Sequence, residues 1–308
     1  MKKVSKLYYV IILFVVAIIF ACNQSSDSKN NEETIITGST SILVDETLKP
    51  IVEDQIAVFE SKYAAKIKMI AQSEAEVIDL LVKDSSGIAV LSRTLTSKEA
   101  ELFEKRKITP KVTKFAIDAI AFISNKSNKD TLIALQDVID FMKGKPRSTI
   151  KGLVFDNPNS STVRYMNGLA GLEITPEKGI FSFKTNEEVI KFVSENEGMI
   201  GVVGVNWLSQ PSPAMTSYVE KVNMLSVKSI TGTGFFEPTQ NNIAEGTYPL
   251  ARDLYIINCQ GFSGLGMGFS SFVAGDIGQR IILKSGLLPV RIPGRNIRIR
   301  KEIENKKK

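Results

Sequence analysis

Apolar residues along the chain come in short runs separated by polar turns, and their period alternates between strand-like and helix-like. Ile35 and Ile36 open a short strand that runs into a turn at Gly38-Ser39-Thr40-Ser41. Leu48, Val52, Ile56, Phe59 and Tyr63 then recur at steps of four, four, three and four, the spacing of one helix face. Residues 66–71 read as a strand, and Gln72-Ser73-Glu74 begins a helix with Val77, Leu80 and Leu81 inward. Residues 87–91 form a buried strand ending in Ser92-Arg93, and Ser97 caps a helix with Glu99 and Glu101 near its start. Strand, polar turn and helix thus repeat. That order predicts an α/β fold whose ligand-facing residues lie at the carboxyl ends of the strands.

Two runs break the rhythm. Residues 111–125 and 248–257 are long apolar strands, and each can carry the chain from one lobe to another. Between them the pattern predicts a helix over 132–143 stopped by Gly144, a strand over 150–155 and a helix over 186–196. A glycine-punctuated strand over 199–204 and a strand over 222–230 follow. Residues 231–246 read as a loop, 269–284 as an amphipathic segment, and 285–290 as the close of the fold. The predicted division is one lobe of 35–117 with 251–308 and a second of 118–250, hinged near 115–124 and 248–257. No Gly-Lys-Ser/Thr follows the glycines at Gly201 and Gly204, so a nucleotide loop is not indicated.

The amino terminus is built differently. Met1–Lys6 is basic, and residues 7–21 are an unbroken apolar run, short for a membrane span and of the length of a signal-peptide core. The run ends Ile19-Phe20-Ala21-Cys22, which resembles a bacterial lipobox with Cys22 as the acylated residue. Residues 1–21 are then a lipoprotein signal peptide, and 22–34, rich in Ser, Asn and Glu, a flexible tether. This places the remaining chain in the cell envelope, lipid-anchored and facing the periplasm or the exterior.

Charge and composition narrow the chemistry. The chain of 308 residues has no histidine, which excludes histidine triads and histidine-ligated zinc. Formal charge is +6, and loss of Lys2, Lys3 and Lys6 with the signal peptide lowers it to +3. Residues 291–308 hold eight basic and two acidic side chains, a net +6, so the body between carries −3. The basicity is a tail rather than a face, and nucleic acid is not an expected partner. Cys259 reads as a buried free thiol.

The stretch Phe155-Asp156-Asn157-Pro158-Asn159-Ser160-Ser161-Thr162-Val163-Arg164 concentrates candidate chemistry. A strand ends in a turn, and Ser160 or Ser161 is suited to cap the helix that follows. A helix N-terminus presents free N–H groups and partial positive charge to an oxyanion. Arg164 opposes the helix dipole in the first turn, and a bound anion would reverse that cost.

These residues resemble the phosphate-binding lipoproteins and periplasmic proteins of ABC phosphate importers, in the type II periplasmic-binding-protein fold. The resemblance spans roughly residues 35–290. It rests on Tyr248-Pro249-Leu250-Ala251-Arg252 and on residues 278–289, and less specifically on Gly38–Ser41, Ser92-Arg93, Asp118–Ala121 and Gly201–Gly204. It implies two lobes, each a sheet flanked by helices, with the ligand cleft between them and with no cofactor, metal or catalysis. It implies inorganic phosphate as ligand, an ABC permease as partner, and a monomer. The family's anion contacts fall on Ser39, Thr40 and Ser41, on Ser73, on Ser92 and Arg93, and on Ser160, Ser161 and Thr162. Asp156 stands where many members have Arg, Ser161 replaces a central Gly, and Arg93 stands where some members have an Asp that accepts the phosphate proton. Arg164 and Arg93 are then the candidate cations and Asp156 the candidate acceptor. The alternatives are another oxyanion such as sulfate or molybdate, or a non-transport surface or sensor protein with an altered pocket.

Overall fold

Helices and strands alternate through the first third of the chain, as the hydrophobic period requires. The structure is a computed structural model that describes residues 33–83, 87–145, 147 and 149–294. The predicted signal peptide, Cys22, nearly all of the tether and most of the basic tail lie outside the described residues. β1 (Thr37–Asp45) passes through a 3-10 turn, Glu46–Leu48, into α1 (Lys49–Lys62). β2 (Ala64–Gln72), α2 (Glu74–Lys83), β3 (Ile88–Leu91) and α3 (Ser97–Glu104) complete a parallel β2-β1-β3 unit. β4 (Lys111–Asn125) is 15 residues long, and Ala119–Ser124 is buried without interruption.

β5 (Leu132–Ala134), α4 (Leu135–Met142), β6 (Gly152–Phe155) and α5 (Ser161–Ala170) follow. Then come β7 (Ile180–Ser182), α6 (Asn186–Glu195), β8 (Met199–Gly204), α7 (Asn206–Ser209) and α8 (Thr216–Val219). β9 (Val222–Met224), β10 (Ser226–Lys228), β11 (Phe235–Phe236) and α9 (Gln240–Ala244) lead to β12 (Ala251–Asn258). α10 (Leu265–Ala274), α11 (Asp276–Lys284) and β13 (Leu288–Pro289) close the fold.

The main sheet runs β2-β1-β3-β12-β4-β8-β6-β7. β4 belongs to two halves of it. Its residues 111–119 pair antiparallel with β12, and residues 120–124 pair antiparallel with β8. Strands β8, β6 and β7 are parallel to each other, as are β2, β1 and β3. The sheet is therefore two parallel half-sheets joined through one long strand. Their carboxyl ends carry Asp45, Ser73, Ser92, Asp156 and Val205. Most buried aliphatic and aromatic side chains of both halves form one continuous core that includes Ile42, Phe59, Phe122, Phe155 and Val202, and Leu43, Val77, Leu81, Leu91 and Phe103 belong to a second, smaller one. Among the described residues no helix is long and apolar enough to cross a membrane.

The elements depart from the sequence pattern where local capping or strand pairing competes with periodicity. Gly38–Ser41 is no turn: β1 continues through it, in register with Ala65–Lys68, although Gly38 has φ +117. The turn comes at Asp45–Leu48, where Asp45 Oδ1 accepts from the Thr47 N–H. Thr96, not Ser97, caps α3, through a reciprocal capping box with Glu99. Residues 132–134 pair with β10 before the helix begins, and the segment 222–230 divides between two sheets. Gly275 splits the segment 265–284 into two helices.

Candidate functional site

The ends of β1, β6 and β8 meet in a buried polar knot. Ser160 is the N-cap of α5: its Oγ accepts from Val163 N at 3.2 Å and donates to Asp156 Oδ1. Asp156 Oδ2 accepts from Thr47 Oγ1 at 3.2 Å and from Asn186 Nδ2 at 3.1 Å. Asn186 also donates to Glu46 Oε2 at 2.8 Å, and its Oδ1 accepts from Gly204 N at 3.3 Å. Trp207, in α7 after β8, donates its indole N–H to Thr47 O at 2.9 Å. The first half-sheet thus contributes Asp45, Glu46 and Thr47, and the second contributes Asp156, Asn186 and Trp207.

Three carboxyl groups crowd this knot, and desolvation sets their protonation. Burial pushes Asp45 up to about 6, against the pull of Arg252. It pushes Glu46 up to about 8 despite the Asn186 hydrogen bond. It pushes Asp156 up to about 7, with the neighbouring Asp45 adding to the rise and Ser160 and Thr47 opposing it. Near neutral pH the knot therefore holds bound protons, and a protonated carboxyl donates a hydrogen bond where a carboxylate only accepts.

A second layer lies one strand away. Arg252 and Asp118 face each other across the β12–β4 ladder and are fully buried as a pair. Arg252 Nε and Nη2 both donate to Asp118 Oδ2, at 3.1 and 2.9 Å, and Nη1 donates to Ser161 Oγ at 2.9 Å. Burial raises the Asp118 pKa and Arg252 lowers it, with burial the larger effect. Asp118 Oδ1, Asp45 Oδ2 and Thr162 Oγ1 are buried without a hydrogen-bond partner.

The third layer closes the outer rim. Glu74, at the start of α2 and 3% exposed, takes both Arg93 and Arg164. Arg164 Nε and Nη2 fork onto its two oxygens at 2.5 and 3.1 Å. Arg93 Nε donates to Oε1 at 2.9 Å, while its Nη1 and Nη2 fork onto Glu99 at 2.7 and 2.9 Å. Ser92 Oγ donates to Glu74 and accepts from Arg164 Nη2. Glu74 and Arg93 belong to the first half-sheet and Arg164 to the second, so the ion pairs join the two half-sheets. A backbone bond from Ala75 N to Asn159 O joins them too. A cavity of about 580 Å³ lies beside this rim, lined by Ser92, Arg93, Arg164, Tyr165, Arg252 and Asp253 among others. Another of about 570 Å³ is lined by Glu74, Glu99, Glu173, Arg93 and Arg164.

The expected site residues Ser92, Arg93, Asp156, Ser160, Ser161, Thr162 and Arg164 come together here. Ser73 lies at the same end, with its hydroxyl donated to Glu76 Oε2 at 2.7 Å. Ser39, Thr40 and Ser41 do not join them. They sit four to six residues before Asp45, which at ~3.3 Å per residue is roughly 13–20 Å of extended strand from the cleft. The sequence gives no sign that Asp45, Glu46, Thr47, Glu74 and Asn186 belong to the site. Asp118 and Arg252 stood inside the quoted motifs without a role. A readable signal existed for the last pair, because charged residues within apolar strands are seldom buried unless paired.

A family model described as a PBP superfamily domain matches residues 29–276. The chain belongs to that superfamily. It is 25% identical over 310 residues to the phosphate-binding protein PstS of Borreliella burgdorferi, covering 94% of this chain and 100% of that one. It is 22% identical over 286 residues to a phosphate-binding protein PstS of Pseudomonas aeruginosa, covering 83% of this chain and 84% of the other. A structure of a protein assigned as a phosphate ABC transporter substrate-binding protein from Clostridium perfringens, solved with phosphate bound, superposes with TM-score 0.68 at 21% identity. It covers 82% of this chain and 100% of that one. An ABC-type phosphate transport receptor from Vibrio cholerae gives TM-score 0.61 at 18% identity, with 82% and 100% covered. The PBP-superfamily chain thus has the type II periplasmic-binding-protein fold.

Proposed function

We propose that the protein captures an inorganic oxyanion, phosphate foremost, in the cleft between its half-sheets and delivers it to an ABC permease. The observation that carries this reading is the start of α5. Ser160, Ser161 and Thr162 are buried there together, at a helix N-terminus that faces a buried guanidinium. Three kinds of donor converge on one place: hydroxyls, first-turn N–H groups and Arg252. The names of the relatives favour phosphate. Capture needs no bond-making, since these groups take over from the anion's water shell.

In this reading residues 35–117 with 251–308 form one lobe and 118–250 the other. The chain crosses between them in β4 and just before β12, and these crossings absorb the closing motion. Ser92, Arg93 and Arg164 form the rim, and Asp156, once it has lost the proton that burial holds on it up to about pH 7, accepts a hydrogen bond from a protonated phosphate oxygen. Sulfate has no such proton to offer at neutral pH. Acylation of Cys22 would hold the domain at a membrane through residues 22–34. Titration calorimetry with phosphate, sulfate and molybdate tests the proposal. Phosphate should bind more tightly than sulfate, and Asp156→Asn should narrow the gap at least severalfold. Equal affinities in the wild type would remove the selectivity argument.

A second reading, a sensor or surface protein on the same fold, is favoured by one observation. Asp45, Glu46 and Asp156 put more carboxyls than cations in the knot. A folded protein that gives no heat and no thermal shift with any oxyanion would establish that reading over capture.

A further inference from the structure

Three guanidinium groups reach the cleft, and they differ in what already holds them. The Arg164 fork is filled by both oxygens of Glu74, and the Arg93 fork by both oxygens of Glu99. Each has the bidentate geometry that a guanidinium offers to a carboxylate or a phosphate. An incoming oxyanion would have to evict a protein carboxylate from either one. Arg164 is also 43% exposed, where water screens its charge.

Arg252 is placed otherwise. Its side chain is 2% exposed, so its charge acts in a poorly screened setting. It grips Asp118 through one carboxylate oxygen only, and its Nη1 reaches Ser161, the first residue of α5. Those contacts use three of the five N–H groups of a guanidinium and leave two. Thr162 Oγ1, in the same helical turn, is buried and unpartnered. The cavity that Arg252 lines carries three arginines and one acidic residue, Asp253. The neighbouring cavity carries Glu74, Glu99 and Glu173 against two arginines. An anion is therefore drawn to the Arg252 side.

We infer that Arg252 is the cation that meets the bound oxyanion, and that Arg93 and Arg164 act with Glu74 as a clasp between the lobes. The inference rests on the oxyanion reading of the cleft. It puts the charge contact on a crossing strand rather than on the helix that supplies the hydroxyls. Ligand and lobe closure then share one residue.

The test is calorimetry with inorganic phosphate on the wild type and on Arg252→Gln, Arg252→Lys, Arg164→Gln and the double variant Asp118→Asn/Arg252→Gln. Thermal melts verify that each is folded. The double variant removes both buried charges, so it carries the comparison if Arg252→Gln alone leaves Asp118 stranded and unfolds the protein. The expected result is a loss of phosphate affinity of about a hundredfold or more when Arg252 becomes Gln. An intermediate loss is expected for Arg252→Lys, and a loss below about tenfold for Arg164→Gln. A loss for Arg164→Gln equal to or larger than that for the folded Arg252 variants overturns the assignment. A wild type that binds no oxyanion overturns the capture reading with it, and the two failures are thereby told apart.

Discussion

Asp156 shows how one side chain is set by the company it keeps. It is buried, accepts hydrogen bonds from Ser160, Thr47 and Asn186, and is nevertheless held up at about 7 because burial outweighs those donors. Its ordinary value is 3.8. The folded chain therefore keeps a proton that the unfolded chain releases, so this group stabilises the fold fully below about pH 4. The contribution falls as pH rises towards 7 and is gone above it. Asp45 and Glu46 act in the same direction. The melting temperature should accordingly gain from acidification between pH 8 and pH 5, and Asp156→Asn should remove several degrees of that gain, by about 2–4 °C per kcal/mol. Equal gains in wild type and variant would mean that Asp156 ionises as freely folded as unfolded. None of this was legible in the sequence, where Asp156 stood out as a carboxylate in a place suited to Arg and as a candidate acceptor for the phosphate proton. Its partners come from residues 47 and 186, and no local pattern announces them. Arg252 was hidden differently, inside a run read for its crossing role, while its contact with Ser161 spans 91 positions.

At the scale of elements, α5 was the most legible part of the site. Ser160, one of the two serines that the sequence offers as cap, is the one that caps it, and Gly171 ends it with φ +66. Ser160→Ala should cost about 1–2 kcal/mol, read as a lower urea midpoint, because it removes both the cap and a donor to Asp156. A midpoint unchanged within error would mean that another group takes over the cap. β8 offers a packing test. A Cβ on Gly201 would stand 2.7 Å from Ile123 and 2.9 Å from Val193. Gly201→Val should therefore overpack the seam between β4 and α6 and cost about 1–3 kcal/mol. β1 was the element misjudged. Glycine and three hydroxyl residues are turn-formers by composition, yet pairing with β2 along nine residues overrides them, and the turn waits for Asp45. A shift of half a strand moved the expected first contact loop away from the cleft. Propensity does not record where a strand's partner ends.

The described residues form a sheet of two halves that share β4, with Glu74 drawing Arg93 of one half and Arg164 of the other together. The alternation of elements and the two long strands made this architecture readable, because they reflect burial, and burial leaves a periodic trace. The cross-cleft ion pairs leave none. Glu74→Gln weakens the clasp and leaves the Ser160 cap and the Arg252–Ser161 contact in place. Radiolabelled phosphate should leave this variant severalfold faster than the wild type, with the association rate little changed, since pairs made only in the closed state resist opening. An unchanged release rate would assign closure to packing and to the Ala75–Asn159 backbone bond instead.

Trp207 is the chain's single tryptophan, and its indole N–H is tied to the Thr47 carbonyl at the end of the other half-sheet. Separation of the lobes would break that bond and hand a nearly buried ring to water. The molecule thus carries its own optical gauge. Emission should move to longer wavelength as the cleft opens and return as it shuts, and a stopped-flow trace of that signal times the closing motion directly, with no label attached.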